Sequence, residues 1–213
     1  MKKKHILCYG DSNTWGYNAA TGGRYDDDVR WTQRLGEMLG PDYLIGEAGL
    51  NGRTTVFEDP LNEGLNGLTH LLPAMSAHCP LDLLVIMLGT NDTKERFAAT
   101  GYNITDGLRR LVNKSKGLEL WNTQPRILII APIKIDERLY DVDTVALGMG
   151  AGCVEKSREL PALFEALAAE LGCAYMDANP HVTAAFGDFM HFDLPSNERF
   201  AKALTAKVKE ILG

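Results

Sequence analysis

The segment Asp82-Leu83-Leu84-Val85-Ile86-Met87-Leu88 decides the fold, because apolar residues occupy both of its alternating faces. A strand that is apolar on both faces is typical of the centre of a parallel sheet that is covered by helices above and below. The polar turn Gly89-Thr90-Asn91-Asp92 follows it directly. The segment therefore predicts a buried central strand whose carboxyl end carries polar side chains.

Further strands and helices alternate along the rest of the chain. We predict four more strands at residues 5–10, 43–48, 126–131 and 173–177, and helices at residues 29–39, 65–79, 104–118, 154–171 and 197–212. This alternation specifies an α/β fold, a three-layer α/β/α sandwich with a five-stranded parallel, flavodoxin-like sheet. The 213 residues contain no linker or internal repeat, so we expect one domain over residues 1–213.

Composition and charge exclude several classes of protein. Acidic residues outnumber basic ones by 28 to 22, and the net charge of −6 argues against a nucleic-acid partner. No apolar run approaches the roughly 20 residues that span a bilayer, and no export signal is visible, so we expect a cytoplasmic protein without a membrane partner. The four cysteines are far apart and form no C-x-x-C pair, so we expect no metal. No glycine-rich G-x-G-x-x-G or Walker loop follows a predicted strand, so we expect no cofactor.

Polar turns follow the first three predicted strands. Gly10-Asp11-Ser12-Asn13 follows the first, residues 49–55 follow the second, and Gly89-Thr90-Asn91-Asp92 follows the third. In open parallel sheets ligands bind beyond the carboxyl ends of the strands, so we expect the three turns to converge on one site. Ser12 alone fits a turn residue that caps a helix better than it fits a nucleophile, since serine is favoured at caps and turns.

A serine nucleophile needs a base that accepts its proton and an acid that orients the base. Asp188-Phe189-Met190-His191 lies in the loop between the last strand and the last helix, and in a tight loop the three-residue separation lets the carboxylate meet the imidazole. His181 remains a rival for the base and Asp193 a rival for the acid. The loop position favours His191 and Asp188.

Four segments, in chain order, resemble the conserved blocks of the SGNH (GDSL-type) hydrolases. They are Gly10-Asp11-Ser12-Asn13, with Asn13 where the family commonly has leucine, then residues 49–55, residues 89–92 and residues 188–191. The resemblance implies that Ser12 is the nucleophile, His191 the general base and Asp188 its orienting acid. It also implies an oxyanion hole formed by the backbone N–H groups of Ser12 and Gly52 and the side chain of Asn91.

Within this family the chain looks most similar to the bacterial arylesterase/acyltransferase branch. This implies hydrolysis of small aryl or short-chain acyl esters through an acyl-enzyme on Ser12, with acyl transfer to alcohols as a further activity. A carbohydrate O-deacetylase and a lysophospholipase or thioesterase with the same triad are alternatives. A non-catalytic, flavodoxin-like binding module is a more remote one, because a phosphate cradle has no use for Asp188 and His191.

Residues around the predicted triad complete the expectations for the site. Asp11, Trp15 and Asn51 are candidates for substrate contact, although Asp11 also fits a role in holding the turn and Trp15 a role in the core. Arg53 is expected to pair with the acidic run at residues 26–28 or with Glu58. The long irregular stretch at residues 133–152 is expected to form a lid or the interface of a homo-oligomer.

Overall fold

The main sheet of the computed structural model, which describes residues 2–213, has five parallel strands in the order β4-β1-β5-β6-β7. The strands are β1 (Lys4–Gly10), β4 (Tyr43–Gly49), β5 (Leu83–Met87), β6 (Ile127–Ala131) and β7 (Ala174–Asp177), and a small hairpin consists of β2 (Tyr17–Asn18) and β3 (Gly23–Arg24). The helices are α1 (Ser12–Trp15), α2 (Trp31–Leu39), α3 (Gly67–His78), α4 (Gly101–Lys116), α5 (Asp143–Met149), α6 (Cys153–Leu171) and α7 (Leu194–Leu212). The predicted α/β sandwich with five parallel strands is confirmed.

Alternate residues of the central strands enter two separate cores. Leu7 and Tyr9 of β1 pack in one core with side chains from α3, α4 and α6, whereas Ile6 and Cys8 pack in the other with side chains from α2 and α7. All five residues of β5 are buried, as the doubly apolar pattern predicts. The sheet is therefore covered on both faces, so polar side chains that could bind or react lie at its edges and at the ends of its strands.

Two helices, α4 and α7, begin three residues earlier than their apolar periodicity predicts. α4 begins at Gly101, because Thr100 and Asn103 form a capping box in which each side chain bonds the other's backbone. α7 begins at Leu194, because the Asp193 carboxylate accepts a hydrogen bond from the Ser196 backbone N–H. Capping residues thus fix the first turn, which the apolar spacing leaves undefined.

The stretch at residues 133–152 is not irregular, and its sequence-based description was wrong. It contains the short 3-10 helix Glu137–Asp141 and then α5. Leu139 and Met149 are buried in a small core with Phe189, so the stretch packs on the loop that carries His191. We call residues 133–152 the α5 segment. Within residues 2–213 there is no helix with the length and hydropathy needed to cross a bilayer.

Candidate active site

The three polar turns meet at one edge of the sheet, because β1 lies between β4 and β5. Ser12 begins α1 directly after β1, Gly52 lies in the turn after β4, and Asn91 begins a short 3-10 helix after β5. The Asp11 side chain accepts a hydrogen bond from the Asn13 N–H and so fixes the turn that presents Ser12. Parallel pairing thus brings together residues that are far apart in the sequence.

Ser12, His191 and Asp188 form a continuous hydrogen-bonded chain. Ser12 Oγ lies 2.7 Å from His191 Nε2, and His191 Nδ1 lies 2.6 Å from Asp188 Oδ2. All three residues are buried. The distances are those of a nucleophile in contact with its base and of a base in contact with its orienting acid.

The Asp188 carboxylate orients the imidazole and also holds its own loop. Its Oδ1 accepts hydrogen bonds of 3.1 Å from the backbone N–H groups of Met190 and His191. Burial alone would raise the pKa of Asp188, but the hydrogen bonds from the His191 ring and from these N–H groups hold the pKa below its ordinary value. Asp188 therefore stays ionised beside the imidazole.

Phe189, between the acid and the base, has a left-handed backbone with φ of +58°. A bulky residue adopts this conformation only where the surroundings impose it. The Phe189 side chain is buried in the small core with Leu139 and Met149, and its carbonyl accepts a 3.0 Å hydrogen bond from the Asp136 N–H. The α5 segment thus holds the loop in the shape that brings Asp188 to His191.

The two rival residues are engaged elsewhere. His181 ends the 3-10 helix Asn179–His181 and does not line the cavity in front of Ser12. Asp193 accepts hydrogen bonds from the backbone N–H and hydroxyl of Ser196 as the cap of α7. Of the alternatives that the sequence left open, the geometry therefore favours His191 with Asp188.

Backbone and side-chain donors face the space beside Ser12. Gly52 has a left-handed backbone with φ of +82°, and a Cβ there would lie 2.9 Å from Leu65 Cδ1. Within residues 2–213 no acceptor is paired with the backbone N–H of Ser12 or of Gly52. The Asn91 side-chain amide is held by a 3.2 Å hydrogen bond from Nδ2 to the Arg53 carbonyl.

A cavity of about 410 Å³ opens in front of Ser12. Of the residues predicted from sequence, Ser12, Asn51, Gly52, Asn91 and His191 line it. Part of the remaining wall comes from the stretch that the sequence suggested as a lid, namely Thr144, Val145, Gly148 and Met149. Sequence reasoning did not assign the other wall residues to the site, which are Tyr17, Thr90, Lys94, Arg96 and Met190. The i, i+4 spacing of Val145 and Met149 is the sequence signal that places both on one face of α5, toward the cavity. The Tyr17 ring lies 4.4 Å from the His191 ring, and no local sequence pattern indicates this.

Asp11 and Trp15 do not line this cavity, contrary to the expectation of substrate contact. Asp11 is turned into the protein, where its carboxylate caps α1. Trp15 lies against Arg24, whose guanidinium is 5.2 Å from the centre of the indole ring. We therefore assign both residues to support of the first turn.

Two charged groups are buried behind the nucleophile. Arg53 pairs with neither the acidic run nor Glu58, and that expectation was wrong: its guanidinium stacks 4.2 Å from the Tyr9 ring and donates to the carbonyls of Gly10 and Ala48. Asp92 accepts hydrogen bonds from the backbone N–H and hydroxyl of Thr55, and burial raises its pKa to about 6. Both groups tie the β4 turn to its neighbours.

No group of three or more His, Cys, Asp or Glu side chains within residues 2–213 is arranged to hold a metal ion. The polar atoms that converge on the cavity are instead those of acyl-transfer chemistry, a hydroxyl, an imidazole and hydrogen-bond donors.

Comparison with known proteins agrees with this geometry. The sequence matches the GDSL-like lipase/acylhydrolase family over residues 8–196. The fold is similar to that of a carbohydrate acetylesterase family member from Sinorhizobium meliloti, with a TM-score of 0.92, 37% identity and 99% of each chain covered. It is also similar to the M. smegmatis aryl esterase, with a TM-score of 0.88, 33% identity, and 98% of this chain and 100% of that chain covered.

A search of the curated proteins found no significant match. The family match nevertheless spans most of the chain, and the sequence-based resemblance is confirmed. The chain belongs to the GDSL-like lipase/acylhydrolase family of ester-hydrolysing enzymes.

Proposed function

We propose that this protein is a serine esterase that cleaves small carboxylic esters through an acyl-enzyme on Ser12. The observation that carries the proposal is the chain of two short hydrogen bonds from Ser12 Oγ through the His191 ring to Asp188. In the first step Ser12 Oγ attacks the ester carbonyl while His191 Nε2 takes its proton. The same imidazole then protonates the departing alcohol, and a water molecule, deprotonated by His191, releases the acid.

The tetrahedral intermediate carries a negative oxygen that needs donors already in place. We assign these to the backbone N–H groups of Ser12 and Gly52 and to the Asn91 amide. Loss of one such donor typically removes about 2.7–4 kcal/mol of transition-state stabilisation. The hydrogen bond from Asn91 to the Arg53 carbonyl supports this role, because it fixes the amide before substrate arrives.

For the substrate we propose aryl or short-chain acyl esters. The cavity of about 410 Å³ is in the lower part of the range for small-molecule sites, and apolar side chains of Val145, Met149 and Met190 form part of its wall. The similarity to the M. smegmatis aryl esterase supports the aryl class. A lysophospholipase-like preference would instead require room for a long acyl chain.

Removal of O-acetyl groups from carbohydrates is a second candidate. The similarity to the carbohydrate acetylesterase family member from Sinorhizobium meliloti favours it, and the polar side chains of Asn51 and Thr144 in the cavity offer hydrogen bonds to a sugar. Acyl transfer to an added alcohol is a further proposal, supported by the same apolar wall, which disfavours water as the second nucleophile.

Hydrolysis of para-nitrophenyl esters from acetate to decanoate tests the function and the chain length together. We expect activity on short chains and a loss of about 10⁴-fold or more in kcat for Ser12→Ala and for His191→Ala, because the triad acts as a unit. Ser76→Ala, on the exposed face of α3, and His181→Ala are the matched controls and should keep wild-type activity. Retained activity in Ser12→Ala would contradict the assignment.

Acetylated xylose and phenyl acetate, compared at equal concentration, separate the two substrate classes. A higher kcat/KM for the sugar would favour the deacetylase over the aryl esterase. Adding a primary alcohol to the phenyl acetate reaction, and measuring the new ester against released acetate, tests acyl transfer.

A further inference from the structure

A lysine without a partner lies in the wall of the candidate active site. Lys94 lines the cavity with Ser12 and His191, and only 9% of its surface is exposed. Within residues 2–213 its ammonium group has no hydrogen-bond or ion-pair partner. Its carbonyl accepts a hydrogen bond from the Phe97 N–H, and its backbone N–H donates to the Asn91 carbonyl. That bond ends the turn that begins at Asn91, so the lysine and the proposed oxyanion donor belong to the same short element.

The other charged groups near Lys94 each have a partner of their own, although one buried carboxylate oxygen in each of Asp11, Asp59 and Asp92 accepts no hydrogen bond. Arg96, the second cation of the cavity wall, forms a 3.3 Å ion pair with Asp59. Asp11 accepts from the Asn13 N–H, and Asp92 accepts from Thr55. These three carboxylates act on Lys94 only through space, and none comes within ion-pair distance of it.

A largely buried cation with no protein partner is unfavourable to the extent that it has lost contact with water. Burial, together with the nearby Arg96, lowers the pKa of Lys94, which reflects this penalty. An anion that enters the cavity would offset it. The same anion would gain more from Lys94 here than in open water, because the surroundings have a lower dielectric constant.

We propose that the cavity selects esters that carry an anionic group, a carboxylate or a phosphate, and that Lys94 binds this group while Ser12 attacks the ester carbonyl. The inference rests on the proposed esterase function and names the substrate class for it. Lys94 then stabilises the bound anionic substrate and its transition state to a similar extent, so it raises kcat/KM for anionic esters.

Matched pairs of esters that differ only in charge test this selection. Para-acetoxybenzoate carries the charge on the leaving group, and para-acetoxybenzamide is its neutral partner. Phenyl hydrogen adipate carries the charge on the acyl group, and its carboxamide is the neutral partner. Para-acetoxyphenyl phosphate and its neutral dimethyl ester test a phosphate. In at least one series we expect the anionic ester to exceed its neutral partner by about 10- to 100-fold in kcat/KM, the range for a hydrogen bond to a charged group.

Lys94→Met removes the charge at similar length, and Lys94→Arg keeps it. We expect the preference to disappear in Lys94→Met and to persist in Lys94→Arg. Lys134→Met removes an exposed lysine outside this cavity and should keep the wild-type preference. Because the readout is a ratio between two substrates of one enzyme, a shared loss of folding or of chemistry cancels.

A ratio near one for every pair in the wild type would overturn the inference, and so would a preference that survives in Lys94→Met. Cleavage of the neutral esters alone would leave the esterase function intact while rejecting the charged subsite. Inactivity toward every ester in a wild type that is folded would contradict the esterase function, and this inference with it.

Discussion

One oxygen of the Asp188 carboxylate binds the backbone of its own loop, and the other binds the His191 ring. A substitution of similar shape but without charge can therefore test what the charge contributes. Asp188→Asn keeps an oxygen for the two backbone N–H groups but presents an amide N–H to the His191 ring, which favours the wrong tautomer. We expect kcat/KM for para-nitrophenyl acetate to fall by about 10³- to 10⁴-fold with little change in melting temperature.

Asp193→Asn is the matched control, because asparagine caps a helix about as well as aspartate. It should keep wild-type activity. A large loss there, with activity retained in Asp188→Asn, would reverse the assignment of the orienting acid.

Asp92 should make stability depend on pH in the direction opposite to that of most carboxylates. Its pKa rises from 3.8 to about 6 in the folded protein, so the folded state binds this proton more tightly than the unfolded chain does. Stability is therefore lost as pH rises from about 4 to about 6, by about 3 kcal/mol when the loss is complete.

The comparison of wild type with Asp92→Asn isolates this effect from all other titrations. We expect the asparagine variant to gain about 3 kcal/mol relative to wild type between about pH 4 and about pH 7.5, measured as the free energy of urea unfolding. A difference between the two proteins that stays constant with pH would contradict the raised pKa.

At the scale of elements, the α5 segment supports the triad through Phe189. Phe189→Ala keeps the left-handed backbone but removes the buried side chain that stabilises it. We expect a loss of about 3–5 kcal/mol in the free energy of unfolding. We also expect kcat to fall at temperatures where the variant is folded. Tyr102, an aromatic residue on α4 that is 65% exposed, offers the control. Tyr102→Ala should change stability by less than about 0.5 kcal/mol and leave kcat unchanged.

The elements show why sequence predicts some parts of the fold and not others. β5 is predictable because its pattern is set by burial on both faces, and the Asp188–His191 pairing is predictable because both residues lie in one short loop. The start of α7 depends on a hydrogen bond from the Ser196 N–H to the Asp193 carboxylate, which apolar spacing does not encode. Tyr17 reaches the cavity only through tertiary packing, so no local pattern identifies it.

At the scale of the whole molecule, the α5 segment also presents an apolar surface. Leu147 is 85% exposed, and a shallow depression beside it is lined by Tyr140, Ala146 and Gly150. The homo-oligomer remains a prediction, and this surface is its candidate interface. We expect Leu147→Glu to lower the mass measured by sedimentation velocity, whereas Leu61→Glu, at another exposed leucine, should not.

A monomeric wild type would remove that interface and leave the α5 segment as part of one subunit's own cavity. The one-domain organisation and the cytoplasmic location likewise remain predictions. The fold and the family, by contrast, follow from patterns spread over the whole chain, from Gly10 to His191, which is why four short segments sufficed to identify them.

The 179 positions that separate Ser12 from His191 have a consequence for biosynthesis. During translation the nucleophile leaves the ribosome 179 residues before its base. A growing chain therefore holds a serine without a base until β7 and the loop after it have emerged. A newly made molecule should therefore become active only after β7 has joined the sheet and the loop that carries His191 has folded.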